Sequence, residues 1–247
     1  MLRVRPVVST PDLPGAARFL QALGLTPVQD PPPTGSEAGM DAENEAVFDA
    51  GSGRVALHSC APGSAEDGRV SLAFDVSDVR EFARRTAEAG TRSRVEPAED
   101  GHGPTAHISA PDGLSFPADV GPRETGAPPS PLTVLALWST PGVVPAVTVL
   151  NDIGAKPRTA AEAGAPHSFR AKNGGLVAVR AGARPAIGLA FEYAGDVRDL
   201  LPGVTGGGFG AVVVDGEHGR SLRVPAPWGA EVRVDERARD AVGSTAL

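Results

Sequence analysis

Ser9-Thr10-Pro11 leads into Leu13, Ala16, Ala17, Leu20 and Leu23, and the same design returns as Ser139-Thr140-Pro141 leading into Val143, Ala146, Val147, Leu150 and Ile153. The two runs stand 130 residues apart and align without a gap. Apolar side chains at i, i+3, i+4 and i+7 make one face of an amphipathic helix. Thr10 reads as an N-cap ahead of a proline at the first helical position. Gly24 and Gly154 stand where a left-handed residue would end each helix.

Four further blocks repeat in the same order. Val55-Ala56-Leu57 matches Leu176-Val177-Ala178, and Leu72-Ala73-Phe74-Asp75 matches Leu189-Ala190-Phe191-Glu192. Asp78-Val79-Arg80 matches Asp196-Val197-Arg198, and Ala110-Pro111-Asp112-Gly113 matches Ala226-Pro227-Trp228-Gly229. Ordered self-similarity on this scale predicts a duplicated domain. The Pro/Gly/Ser-rich stretch 121–131 has the composition of a connector, dividing the chain into domains at 1–122 and 131–247.

Each half is itself bipartite. The first reads as strands at 2–8, 25–29, 45–50 and 53–59 around a helix over 12–23, with a Pro/Gly-rich loop at 31–43. It then restarts with strands at 69–76, 93–97, 105–110 and 114–120 around a helix over 78–89. The fold class is α+β, with four βαβββ units in the chain. In the fourth unit Leu200-Leu201-Pro202-Gly203 predicts a helix cut short.

Composition narrows the function classes. With 41% hydrophobic and 21% charged residues the chain can bury a core, and no apolar run reaches the roughly 20 residues of a membrane span. A net charge of −7 argues against a nucleic-acid partner, which needs a basic face, and mildly favours a cationic small molecule. Cys60 is the only cysteine, so no internal disulfide forms and a reducing cytoplasm suits the chain. That thiol reads as a small core residue before it reads as a reactive one.

The run Val8-Ser9-Thr10-Pro11-Asp12-Leu13 with Phe19 and Leu23-Gly24 resembles the opening strand and helix of the vicinal-oxygen-chelate (glyoxalase/bleomycin resistance protein/extradiol dioxygenase) superfamily. Ala110-Pro111-Asp112-Gly113 resembles that family's Asp-Pro-Asp-Gly turn before a last strand. The resemblance implies curled mixed sheets, two βαβββ units forming each open cup. It also implies metal ligands, in the members that use a metal, on the first and last strands of each unit. Carried onto this chain, those positions fall on Arg5, Arg69, Ala56 or His58, and Pro117 in the first half. In the second half they fall on Leu135, Val177 or Val179, Ala186 and Arg233. Of these only His58 can bind a metal, and arginine cannot. The expectation is no metal and no cofactor.

Five residues are the ligand-binding candidates. Arg5 and Arg69 either bind an anionic group or pair with internal carboxylates such as Asp75. His58 is a ligand contact, a general base, or a histidine at the cup rim. His107 enters the first cup or lies on the surface; it and His102, five residues apart, are not spaced as strand metal ligands. Trp228 caps a pocket, packs in the core or makes a dimer contact, and the same structural roles are open to Trp138. His167 and His218 sit near turns. The functional expectation is a metal-free small-molecule-binding protein, monomer or homodimer, that sequesters a drug or natural product. The alternative is a lyase, isomerase, dioxygenase or thiol transferase of the same superfamily, and a third reading is a structural module whose cups are filled by side chains.

Overall fold

In the first half of the computed structural model, β1 (Leu2–Val4) and β2 (Val7–Thr10) precede α1 (Leu13–Ala22), β3 (Thr26–Pro27), β4 (Glu45–Asp49) and β5 (Arg54–Ser59). The second unit holds β6 (Val70–Ser71), β7 (Phe74–Val76), α2 (Val79–Ala89), β8 (Ser93–Glu96), β9 (Thr105–Ser109) and β10 (Ser115–Val120). The second half repeats this with β11 (Leu132–Thr140), α3 (Val143–Asp152), β12 (Lys156–Pro157), β13 (His167–Arg170) and β14 (Leu176–Ala181). Its last unit comprises β15 (Ala186–Tyr193), α4 (Leu201–Gly206), β16 (Val212–Gly216), β17 (Gly219–Pro225) and β18 (Glu231–Glu236). The structure describes residues 1–28, 44–97, 103–122, 129–158, 167–216 and 219–237. The loop expected at 31–43, most of the connector, His102 and His218 lie outside these residues.

The helix ends show what the sequence encodes locally. Gly24 (φ 97°) and Gly154 (φ 86°) terminate α1 and α3 in the left-handed region, as expected. Thr10 is not the cap of α1. Asp12 is: its carboxylate accepts from the Gly15 amide at 2.9 Å, while the Thr10 hydroxyl accepts from the Asp12 amide one step earlier. A 3₁₀ turn at Val197–Leu200 runs into α4, which is short as predicted, although Pro202 sits in its first turn and does not end it.

The two halves build their sheets differently. In the second, β11 runs unbroken for nine residues, parallel to β14 and antiparallel to β15, at the centre of an eight-stranded sheet ordered β12-β13-β14-β11-β15-β18-β17-β16. In the first, the equivalent strand is cut at Arg5-Pro6. Proline has no amide proton for the ladder, so the pairing changes there. Before the cut β1 pairs with β7, and after it β2 pairs with β5 and β6. The result is two five-stranded sheets, β1-β7-β10-β9-β8 and β3-β4-β5-β2-β6.

One apolar core joins the halves. Phe116 packs edge-on against Trp138 at 4.9 Å between ring centroids, and Phe19 packs edge-on against both Trp228 and Phe209 at 5.1 Å. The backbone crosses too: Val4 donates to Gly174 at 3.0 Å, Asn173 to Leu2 at 2.8 Å, and Val134 to Ser52 at 2.8 Å. This approach needs glycine at 175, where φ is +84° and a Cβ would stand 2.5 Å from that of Val4.

Candidate functional site at the seam of the halves

Alternation along β1 sends Leu2 and Val4 into the core shared with α2, and Arg3 and Arg5 to the opposite, cup face. There Arg5 Nε lies 2.8 Å from Asp75 Oδ1, its Nη2 bonds Asp119, and Glu45 stands 3.9 Å from its Nη1. Arg3 and Arg54 reach the other Asp75 oxygen at 3.6 and 3.7 Å, and Arg54 makes a forked pair with Asp49 at 3.1 and 3.2 Å. Arg3, Arg54, Asp49 and Asp75 are buried. Burial pushes the Asp75 carboxyl above the ordinary carboxylate range, opposed by the Arg5, Arg54 and Arg3 guanidinia. Burial likewise lowers Arg3, with Arg54 adding to that effect and Asp75 opposing it. The first cup is filled by an arginine–carboxylate network.

In the second half the same face carries Leu135, Leu137, Leu176, Ala178 and Ala190, packed as a small apolar cluster of their own. Asp75 has its counterpart in Glu192, which is half-buried and pairs with Arg158 at 2.6 Å and Arg237 at 3.7 Å. Neither cup fits a divalent ion: the first presents cations bound to its carboxylates, and the second presents hydrocarbon beside a carboxylate already paired with Arg158 and Arg237. No group of three or more His, Cys, Asp or Glu among the described residues is arranged to hold a metal.

The open space lies beside the second cup, which it meets at Leu137. A cavity of about 460 Å³ runs along the seam, between β6 and the start of β10 in the first half and β15 and the turn into β18 in the second. That is within the usual range for small-molecule sites. Its wall is apolar, with Leu72, Phe116, Leu137, Ile187, Leu189 and Trp228, and it carries Arg69, Ser71, Ser115, Arg180 and Glu231. A smaller space of about 320 Å³ lies by the start of α3, where Asp112 already accepts from Trp138 Nε1 at 2.8 Å.

The five candidate residues therefore do not converge. Arg69 and Trp228 share the seam cavity. Arg5 is committed to the carboxylate network, His107 lies on β9 with Nε2 2.9 Å from Glu96, and His58 is exposed near the end of β5. Trp228 is only 6% exposed, so the exposed cap considered for it is corrected to a buried wall residue. The register of the second unit is corrected as well: Arg5 precedes the cap Asp12 by seven residues, and the residue seven before the cap Asp78 is Ser71, not Arg69. Arg180 escaped the sequence reading because its partner surface comes from the other half. The pairing of Asp49 with Arg54 was within reach, since the two close the β4–β5 hairpin directly opposite each other.

Residues 4–116 match the model of the Glyoxalase/Bleomycin resistance protein/Dioxygenase superfamily. The first half of the chain, which this match spans, is a domain of that superfamily. Among solved structures it resembles the 2,3-dioxygenase LapB from Pseudomonas sp. KL28, with a TM-score of 0.64 and 13% identity over 96% of this chain and 91% of that one. A catechol 2,3-dioxygenase superposes with a TM-score of 0.63 and 17% identity, covering 97% and 89%. The Mn(II)-bound glyoxalase from Novosphingobium aromaticivorans gives 0.59 and 20%, covering 96% and 81%. At these identities the likeness shows the fold, an α+β arrangement of curled mixed sheets. A comparison with curated protein sequences finds no match. No helix among the described residues is long and apolar enough to cross a membrane.

Proposed function

We propose that this chain binds a small organic molecule in the seam cavity and needs no divalent metal to do so, as a protein that sequesters a drug or natural product would. The observation that carries this reading is the placement of space: an arginine–carboxylate network fills the first cup, and the seam, bordering the apolar face of the second, keeps an apolar cavity of about 460 Å³ edged with polar groups. The donor chemistry supports it: of the positions that would carry a metal-using relative's ligands, one alone, shared between Ala56 and His58, offers a donor, and His58 is exposed near the end of β5. The division into domains at 1–122 and 131–247 belongs to the same proposal, and the single cysteine suits a reducing compartment.

Thermal-shift screening of the purified chain against hydrophobic natural products, with metal analysis of the same sample, tests this. A ligand at a hundredfold excess over its Kd adds about 2.7 kcal/mol, hence several degrees in Tm for a chain of this size. Stoichiometric Mn, Fe, Ni or Zn in the purified protein would overturn the metal-free reading. The filled first cup also favours a second reading, a structural or regulatory module, which predicts no stabilising compound at all.

A further inference from the structure

We propose that the seam cavity selects an apolar molecule carrying an anionic head group, with Arg69 and Arg180 as the charge-reading residues. The inference rests on the seam being the binding site. The apolar wall calls for a hydrocarbon or aromatic body, and the question is what the polar rim adds. Arg69 comes from the turn before β6 and Arg180 from β14, so each half supplies one guanidinium to the same cavity. Neither has a carboxylate partner among the described residues. Arg180 spends its Nε on the Ser139 hydroxyl at 2.9 Å, which fixes the side chain and leaves its terminal N–H donors uncommitted. The one carboxylate on the wall, Glu231, stands 3.8 Å from Arg223.

The Trp228 ring forms part of the wall, and its indole nitrogen does not reach the open space. Trp228 Nε1 is buried and has no acceptor among the described residues, whereas the other tryptophan satisfies its own through Asp112. Two guanidinium groups and one engaged carboxylate form a rim that matches an acceptor-rich anion. The overall charge of −7 suggests a cationic ligand; the local arrangement reverses that expectation, because a bound molecule feels nearby groups more than distant, salt-screened ones.

Decanoate, decanol and decyltrimethylammonium share one apolar body and differ in head-group charge. Titration of each into the full chain, followed by tryptophan fluorescence, is expected to show decanoate bound at least tenfold more tightly than the other two. The spectral change should vanish in Trp228→Phe, while Trp138 reports on another part of the core. In the double variant Arg69→Ala/Arg180→Ala decanoate affinity should fall about tenfold or more and decanol affinity should stay put. If decanol or the ammonium probe binds as tightly as decanoate, or the double variant keeps its decanoate affinity, the anion inference is overturned and the seam site survives. If no probe perturbs Trp228, the seam site fails, and the inference with it.

Discussion

Residues 2–10 and 132–140 hold the same place in the repeat, yet one is cut in two and the other is whole. Five of the nine residues differ: Pro6 against Ala136 accounts for the cut in the ladder, and Arg3 and Arg5 against Thr133 and Leu135 change what faces the cup. Where the strand is cut, three arginines and the carboxylates they hold occupy the cup face. Where it is whole, leucines and alanines occupy it. The same topology thus tolerates an ionic filling and an apolar one, provided each is internally complete.

The comparison breaks most sharply at Asp75 and its counterpart. Asp75→Asn leaves three arginines facing a neutral group in a buried setting and should cost about 3–5 kcal/mol. Glu192→Gln, at the equivalent place but part-exposed, should cost about 1 kcal/mol or less. Urea midpoints with unchanged m-values would measure both, and equal losses would mean that the two cups are energetically alike. The strand itself can be tested next. Ala136→Pro takes an amide out of a strand flanked on both sides and should cost about 3 kcal/mol. Pro6→Ala should change stability by less than about 1 kcal/mol, because the pairing has already switched at that point.

The smallest effect belongs to the surface. On α2 the Glu81 carboxyl is held down at about 2 by hydrogen bonds from Arg84 and Arg85. A depressed carboxyl stabilises the fold above its ordinary value near 4.5 and loses that contribution as pH falls toward 2. The acid limb of stability should flatten slightly in Glu81→Gln, and added salt should erase the difference, since the pair is exposed.

Much of this architecture was legible because it is local and periodic. The helix faces, the glycines ending α1 and α3, and all five blocks of the repeat are short-range signals, and they land on the observed elements. Asp75 was even recognisable as a partner for Arg5, since inward arginine demands a carboxylate. The seam was not legible. Arg69 and Arg180 are 111 positions apart, and only the packing of one half on the other brings them to one cavity. The cap of α1 was missed by two residues because Thr10 and Asp12 both offer a side-chain oxygen, and only backbone geometry chooses between them.

Arg5 stands where a metal-using relative would place a ligand, and it brings its own positive charge. A bound ion exchanges with solvent, follows supply and is removed by chelators. A guanidinium bonded to the backbone does none of these. On the proposed metal-free reading its occupancy is one per chain from the moment of translation, so the first cup would be the same in metal-starved and metal-rich surroundings, its integrity a matter of protons and not of ion supply.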